Sequence, residues 1–241
     1  MIAVDQPNCF SPELKVAVSS RNDGTMLNRD INNIHQASVV RSRRDFCNLA
    51  GVGYDGCVYQ IVSYEPGNTY DKIVEVTGAQ PKAQQADALY TETAGVGLFL
   101  PVADCVATVV YDPSRRAVAL AHLGRHSSVA KLLPKLINYM SQKGTNPADI
   151  VIWMAPSVQR DSYIMEYFDH TEDPGWQDYV IQTSGGIQLD LPGYNASLAQ
   201  QAGVLPQNIH RSDVDTATNP NYFSHSQGDT SGRFAIVAQM Y

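Results

Sequence analysis

The sequence predicts an α+β fold in a single domain, residues 1–241, with mixed, largely antiparallel sheets. Three observations predict it. Segments rich in β-branched and aromatic residues outnumber helix-patterned ones. Many neighbouring strand segments are separated by little more than a turn, as in hairpins. Pro, Gly and Ser clusters are spread evenly, with no repeat, low-complexity tract or linker to divide the chain.

In chain order, Lys15–Ser20 (KVAVSS) reads as a first strand, and Asn32–Leu49 as a helix with Ile34, Val39 and Phe46 among its apolar residues. Strands follow at Cys57–Tyr64, Asp71–Val76, Gly95–Leu100, Cys105–Tyr111 and Ala117–His122. Ser127–Ser141 has a helical stripe of Val129, Leu132, Leu133, Leu136, Ile137 and Met140. Ser127 or Ser128 suits its cap, and Pro134 should kink it or shift its start. Ile150–Met154 is a strand, Asn195–Gly203 a short helix capped by Asn195, and Arg233–Met240 the last strand.

The composition bounds the function. Of 241 residues, 44% are hydrophobic and 17% charged, enough for a substantial core and too apolar for a disordered chain. The net charge of −7 disfavours a nucleic-acid-binding surface but leaves room for one local basic pocket. No apolar run approaches the ~18 residues of a membrane span, and the first residues lack a signal-peptide pattern. A cytoplasmic protein without a membrane partner is expected. The four cysteines, Cys9, Cys47, Cys57 and Cys105, form no CxxC, so neither a disulfide scaffold nor a zinc ribbon is indicated.

Several motifs are set aside. Gly51-Val-Gly53 and Gly95-Val-Gly97 lack the third glycine of a dinucleotide loop. The Asn195-Ala-Ser197 sequon is better explained by a helix cap. Arg41, Arg43 and Arg44 read mostly as a solvated helix face, and His35, His170 and His210 have no partner pattern.

One segment carries chemistry. Two apolar strands flank Asp112-Pro113-Ser114-Arg115, and proline at the second place of a four-residue turn favours type I. A hairpin centred on the Pro113–Ser114 bond pairs Tyr111 with Arg116, Val109 with Val118, Ala107 with Leu120 and Cys105 with His122. Directly paired residues have Cβ atoms about 4.5–5.5 Å apart, so this register sets a thiol beside an imidazole. Such a pair suits two of the three protein ligands of a catalytic zinc, or a Cys–His dyad in which the imidazole draws the thiol toward thiolate. A buried cysteine packed beside a histidine by chance is the third reading.

Ala86-Asp87-Ala88, Ala103-Asp104-Cys105 and Ala121-His122-Leu123-Gly124 resemble the motifs RADA, TADC and D…AHAGWRG of the YfiH/LACC1 family, the multicopper polyphenol oxidoreductase (laccase) or purine nucleoside phosphorylase family. Ala155-Pro156-Ser157-Val158 resembles its GPAIG. Tyr222-Phe223-Ser224-His225 and Thr230-Ser231-Gly232-Arg233 resemble its FFSYR and TGR. Asn28 sits where the family has SLN, and Arg43 where it has the arginine of NR.

The resemblance implies a single α/β/β/α layered domain, like that of the cytotoxic necrotizing factor deamidases. It implies a zinc site of two histidines and a cysteine, with Cys105 and His122 as ligands and with Cys105, His122 and Asp104 in the catalytic set. It also implies a purine nucleoside and phosphate as substrates, bound with the help of Arg43, Arg233 and Asn28. Adenosine deamination is a second activity of the family, and copper is a less apt metal than zinc. The family's QVHG falls on Gln60-Ile61-Val62-Ser63, so valine replaces the third ligand. Zinc is then weakly held or absent unless His126 or His225 replaces it. AHAGWRG is altered as well, with Arg125 for Trp, His126 for Arg and Ser127 for Gly, and Ser226 stands for the arginine of FSYR. A divergent zinc enzyme, a metal-free Cys–His hydrolase or deamidase, and a non-catalytic binding relative are the readings carried forward.

Overall fold

A computed structural model describes residues 1–29, 35–78 and 82–241. The strands are β1 Leu14–Val18, β2 Cys57–Ile61, β3 Ile73–Glu75, β4 Ala83–Gln85, β5 Ala88–Thr91, β6 Gly97–Val102, β7 Val106–Asp112 and β8 Ala117–Leu123, then β9 Val151–Met154, β10 Ile164–Met165, β11 Val180–Thr183, β12 Gly186–Leu189, β13 Ile209–Arg211 and β14 Phe234–Met240. The helices are α1 Ala37–Ala50, α2 Arg125–Val129, α3 Leu132–Gln142 and α4 Leu191–Gln201. A five-stranded sheet runs β1-β14-β6-β2-β4 and a six-stranded sheet β13-β9-β7-β8-β5-β3, while β10-β12-β11 form a small third sheet. The two large sheets are mixed: the six-stranded sheet is antiparallel at its centre with a parallel pair at each edge, and the five-stranded sheet is antiparallel over β1-β14-β6 and parallel over β6-β2-β4.

The layers follow from period-2 alternation. On β8, Val118 and Leu120 join Val109, Trp153, Leu98, Leu100 and Ile236 in the core between the sheets. Ala117, Ala119, Ala121 and Leu123 face the other way, onto Leu133, Leu136, Ile137 and Met140 of α3 and Tyr194 and Leu198 of α4. A strand buried on both faces reads as a continuous apolar run. On the far side, Phe46 and Cys47 of α1 cover Tyr59, Phe99 and Val237. The order is α1, five-stranded sheet, six-stranded sheet, then the other helices, the α/β/β/α arrangement expected. At about 1.5–3 kcal/mol per buried large side chain, these three cores hold the layers together.

Three expectations change. The helix expected at Ser127–Ser141 is two helices, broken where Lys131 takes a left-handed conformation (φ 56°). Pro134 then falls in the first turn of α3, where its missing N–H costs no helical hydrogen bond. The helix expected at Asn195–Gly203 starts earlier, because Asp190 caps it by accepting a hydrogen bond from the Gly193 N–H at 2.7 Å. Asn195 is fully buried inside α4 and donates to the Leu191 carbonyl and the Ser128 hydroxyl, so it is not a cap. The start of the helix expected from Asn32 lies partly outside the described residues, and α1 begins at Ala37.

The third change concerns the β7–β8 hairpin. Its loop is Pro113–Arg116: Asp112 Oδ1 accepts from the Ser114 and Arg115 N–H groups, and Arg116 is left-handed (φ 54°). Asp112 therefore pairs with Ala117, and Ala107, not Cys105, pairs with His122. The register is displaced by two residues. An even displacement keeps every side chain on its own face, so Cys105 and His122 remain on the same side as diagonal neighbours.

Candidate functional site

The open end of the inter-sheet core forms a cleft of about 480 Å³, and Cys105 and His122 stand in its wall. Cys105 lies one residue before β7, after Asp104, whose left-handed backbone (φ 74°) turns the chain into the strand. The thiol and the imidazole meet at Gly124. A Cβ there would lie 3.1 Å from Cys105 Sγ and 3.3 Å from His122 Cε1. Ser127 secures the turn after β8: its hydroxyl donates to the His122 carbonyl at 2.7 Å and accepts from the Gly124 N–H at 2.9 Å. The His122 N–H in turn bonds the Asp87 carbonyl, and Tyr64 meets the ring edge-on at 6.5 Å.

Burial sets the charge state of this pair. It pushes the Cys105 thiol up to about 12, with the nearby Asp104 carboxylate adding to the rise. It pulls His122 down to about 4, helped by the Arg233 and Arg29 cations. The pair is a neutral thiol beside a neutral imidazole at pH 7. Both shifts run against the thiolate–imidazolium pair that activation of Cys105 by His122 would require.

Asp104 stands behind the cleft wall. Its carboxylate accepts from the Thr216 hydroxyl and the Ser226 N–H, each at 2.7 Å, so it fastens two loops behind Cys105. Asp104 is not itself part of the cleft lining.

The anion holders divide. Arg233 lines the cleft, its Nη1 donating to the Gly232 carbonyl at 2.6 Å. Arg43 does not line it. Its Nε donates to the Met26 carbonyl at 2.7 Å and its guanidinium lies over the Tyr59 ring at 4.2 Å, with the side chain 3% exposed. Arg43 braces the segment from Met26 to Arg29 from behind, and Arg29 is the residue that reaches the cleft. The Arg29 N–H is tied to the Ser231 carbonyl and its guanidinium sits 5.3 Å from the centre of the Tyr64 ring. Asn28 makes contacts within the protein but is not part of the cleft lining. The sequence reading missed Arg29, although it directly follows the matched Asn28.

The donor set does not fit the implied zinc. A catalytic zinc takes three protein ligands and keeps one open position. Val62 lines the cleft where the resemblance puts the third ligand, and valine has no donor. His126 and His225 also line it, but His126 is stacked on Tyr70 with ring centres 4.6 Å apart. Among the described residues no three His, Cys, Asp or Glu side chains gather as a metal site would require. Copper centres of the laccase kind ask for still more histidines. The described residues also include no helix long and apolar enough to cross a membrane.

The family model described as multi-copper polyphenol oxidoreductase laccase matches residues 20–241. The purine nucleoside phosphorylase YlmD of Bacillus subtilis is 28% identical over 162 residues, 63% of this chain and 58% of that protein. An adenosine deaminase from an unknown prokaryotic organism is 25% identical over 171 residues, 67% of this chain and 65% of its own length. The matched part thus spans somewhat less than two-thirds of these relatives. The crystal structure of YlmD from Geobacillus stearothermophilus superposes with a TM-score of 0.81 at 22% identity, covering 97% of this chain and 94% of that one, which establishes the fold.

Proposed function

The chain belongs to the multi-copper polyphenol oxidoreductase laccase family, and on that premise we propose that it binds a purine nucleoside with phosphate in the Cys105–His122 cleft and cleaves the glycosidic bond by phosphorolysis. The observation that carries this reading is the pairing of Arg29 and Arg233 in one cleft, beside an uncharged Cys105–His122 wall, in a protein of net charge −7. Guanidinium groups bind phosphate oxygens through charge-assisted, often bidentate hydrogen bonds.

In the proposed reaction a phosphate oxygen bonds to C1′ of the ribose while the bond from C1′ to the base nitrogen breaks. The electron pair leaves with the base, and the proton of hydrogen phosphate ends on that base. The products are ribose 1-phosphate and free purine. Arg29 and Arg233 hold and orient the phosphate and offset the charge that moves through the transition state. Tyr64 offers a ring for the base or the sugar to lie against. Phosphate held by the two guanidinium groups attacks in preference to free water because it is positioned at the reacting carbon. No step is assigned to a metal, because the donor set does not meet the ligand requirement.

The test is chromatography of inosine and adenosine incubated with the protein, with and without phosphate. Free base and ribose 1-phosphate formed only with phosphate are expected, and Arg29→Ala or Arg233→Ala should raise the phosphate KM by tenfold or more. Wild-type protein that neither binds nucleoside nor releases base would overturn the reading, and inosine appearing from adenosine would replace it with deamination.

A further inference from the structure

We infer that Gln60 is a specificity-determining residue of this cleft, its Oε1 accepting a hydrogen bond from an N–H or O–H of the bound nucleoside. The inference rests on the nucleoside-binding reading above. Gln60 lies on β2, on the face it shares with Val58 and Val62, and both of those pack against the inter-sheet core. It is 1% exposed and lines the cleft. Its Nε2 donates to the Ala86 carbonyl at 3.2 Å. A carbonyl can only accept, so this bond fixes which way the amide faces. Oε1 is left buried and, among the described residues, without a partner.

Buried carbonyl oxygens are nearly always hydrogen-bonded, because an unmet one forfeits its hydration with no return. Gln60 lines a ligand-sized cleft while carrying such an oxygen, and a ligand donor that reaches its amide would meet it. β2 is paired on both sides, with β6 and β4, so the acceptor is mounted on rigid backbone. A nucleoside offers two kinds of donor, the N–H groups of the base and the hydroxyls of the ribose. A ligand lacking the relevant donor would leave Oε1 unmet, and sites built this way discriminate strongly.

The test is calorimetric titration of wild type and Gln60→Met with inosine, purine riboside, which has no N–H on its base, and 2′- and 3′-deoxyinosine. Methionine keeps the length of the side chain and removes the acceptor. Inosine is expected to bind the variant about tenfold or more weakly. If the base is the donor, purine riboside binds both proteins alike. If the ribose is the donor, purine riboside loses as much as inosine, and either one of the two deoxynucleosides binds both proteins alike or, where the 5′-hydroxyl is the donor, both lose as much as inosine. Inosine binding equally to wild type and variant would overturn the inference while leaving the functional reading intact. Wild type that binds none of these nucleosides would overturn both. Should Gln60→Met fail to melt cooperatively, Gln60→Asn withdraws the acceptor by one methylene while keeping the amide, and the same loss is expected.

Discussion

Cys105 and His122 meet across the bare α-carbon of Gly124, where an added methyl would stand 3.1 Å from the sulfur and 3.3 Å from the imidazole Cε1. Both side chains border Gly124 without being directly paired across the strands, since Ala107 is the residue paired with His122. The position is glycine for want of space and not for backbone reasons, its φ of −90° being open to any residue.

Gly124→Ala should therefore disturb the cleft more than the fold. Overpacking of this kind costs about 1–3 kcal/mol, which calorimetric melting will read as a modest fall in Tm. Nucleoside turnover should drop by about tenfold or more, because the thiol or the ring must move. Unchanged turnover would mean that the wall tolerates the shift and that the contact has no role.

Cys105→Ala removes part of the cleft wall without removing a group that takes part in the proposed step, so it should lower turnover by about tenfold rather than abolish it, with a small change in melting temperature. Cys47→Ala and Cys57→Ala remove atoms from the packing between α1 and the five-stranded sheet, and Cys9→Ala from the edge of the inter-sheet core. Those three variants should lose about 1–2 kcal/mol of stability and keep their turnover once folded. Paired melting curves and rates for the four variants separate the two roles.

Val62→His restores a third donor to the cleft wall. After dialysis against a chelator, wild type should carry almost no zinc and Val62→His about one ion per chain, as three protein ligands allow. Zinc retained by wild type at full stoichiometry would show that another side chain completes the site.

The pH dependence of stability has a defined sign at Arg21 and Asp229. Arg21 bonds both oxygens of the Asp229 carboxylate, which also accepts from the Ser224 N–H. These bonds, that of Arg21 foremost, hold the carboxyl below its ordinary value. A carboxyl depressed in the folded state contributes stability that is present above its unfolded value, about 4, and lost as pH falls through the folded value. Melting temperature should thus fall below about pH 4, and fall less steeply in Asp229→Asn. Identical slopes in the two proteins would remove this pair from the acid response.

Much of the fold is legible in the sequence because alternation and helical periodicity are local properties. The β-branched runs mark β2, β7, β8, β9 and β14 to within a few residues, and the stripe of Leu133, Leu136, Ile137 and Met140 marks α3. The short strands β4, β5, β10 and β13 escaped notice, since two to four residues carry too little pattern to stand out. The β11–β12 hairpin also escaped, although Gly185 and Gly186 at its turn were a usable signal.

Within the site, the sequence alone set Cys105 and His122 on one face, and its resemblance to the family put a valine, Val62, where a third donor is expected. Face identity depends only on parity, which survived a two-residue error in register. It could not determine the register itself, which a left-handed Arg116 and a four-residue loop decided. Nor could it tell Arg29 from Arg43, or reveal the unmet oxygen of Gln60 and the neutral state of the Cys105–His122 pair. Those depend on which side chains distant segments bring together and on how much water they exclude, and only the packing of the two sheets against each other sets either quantity.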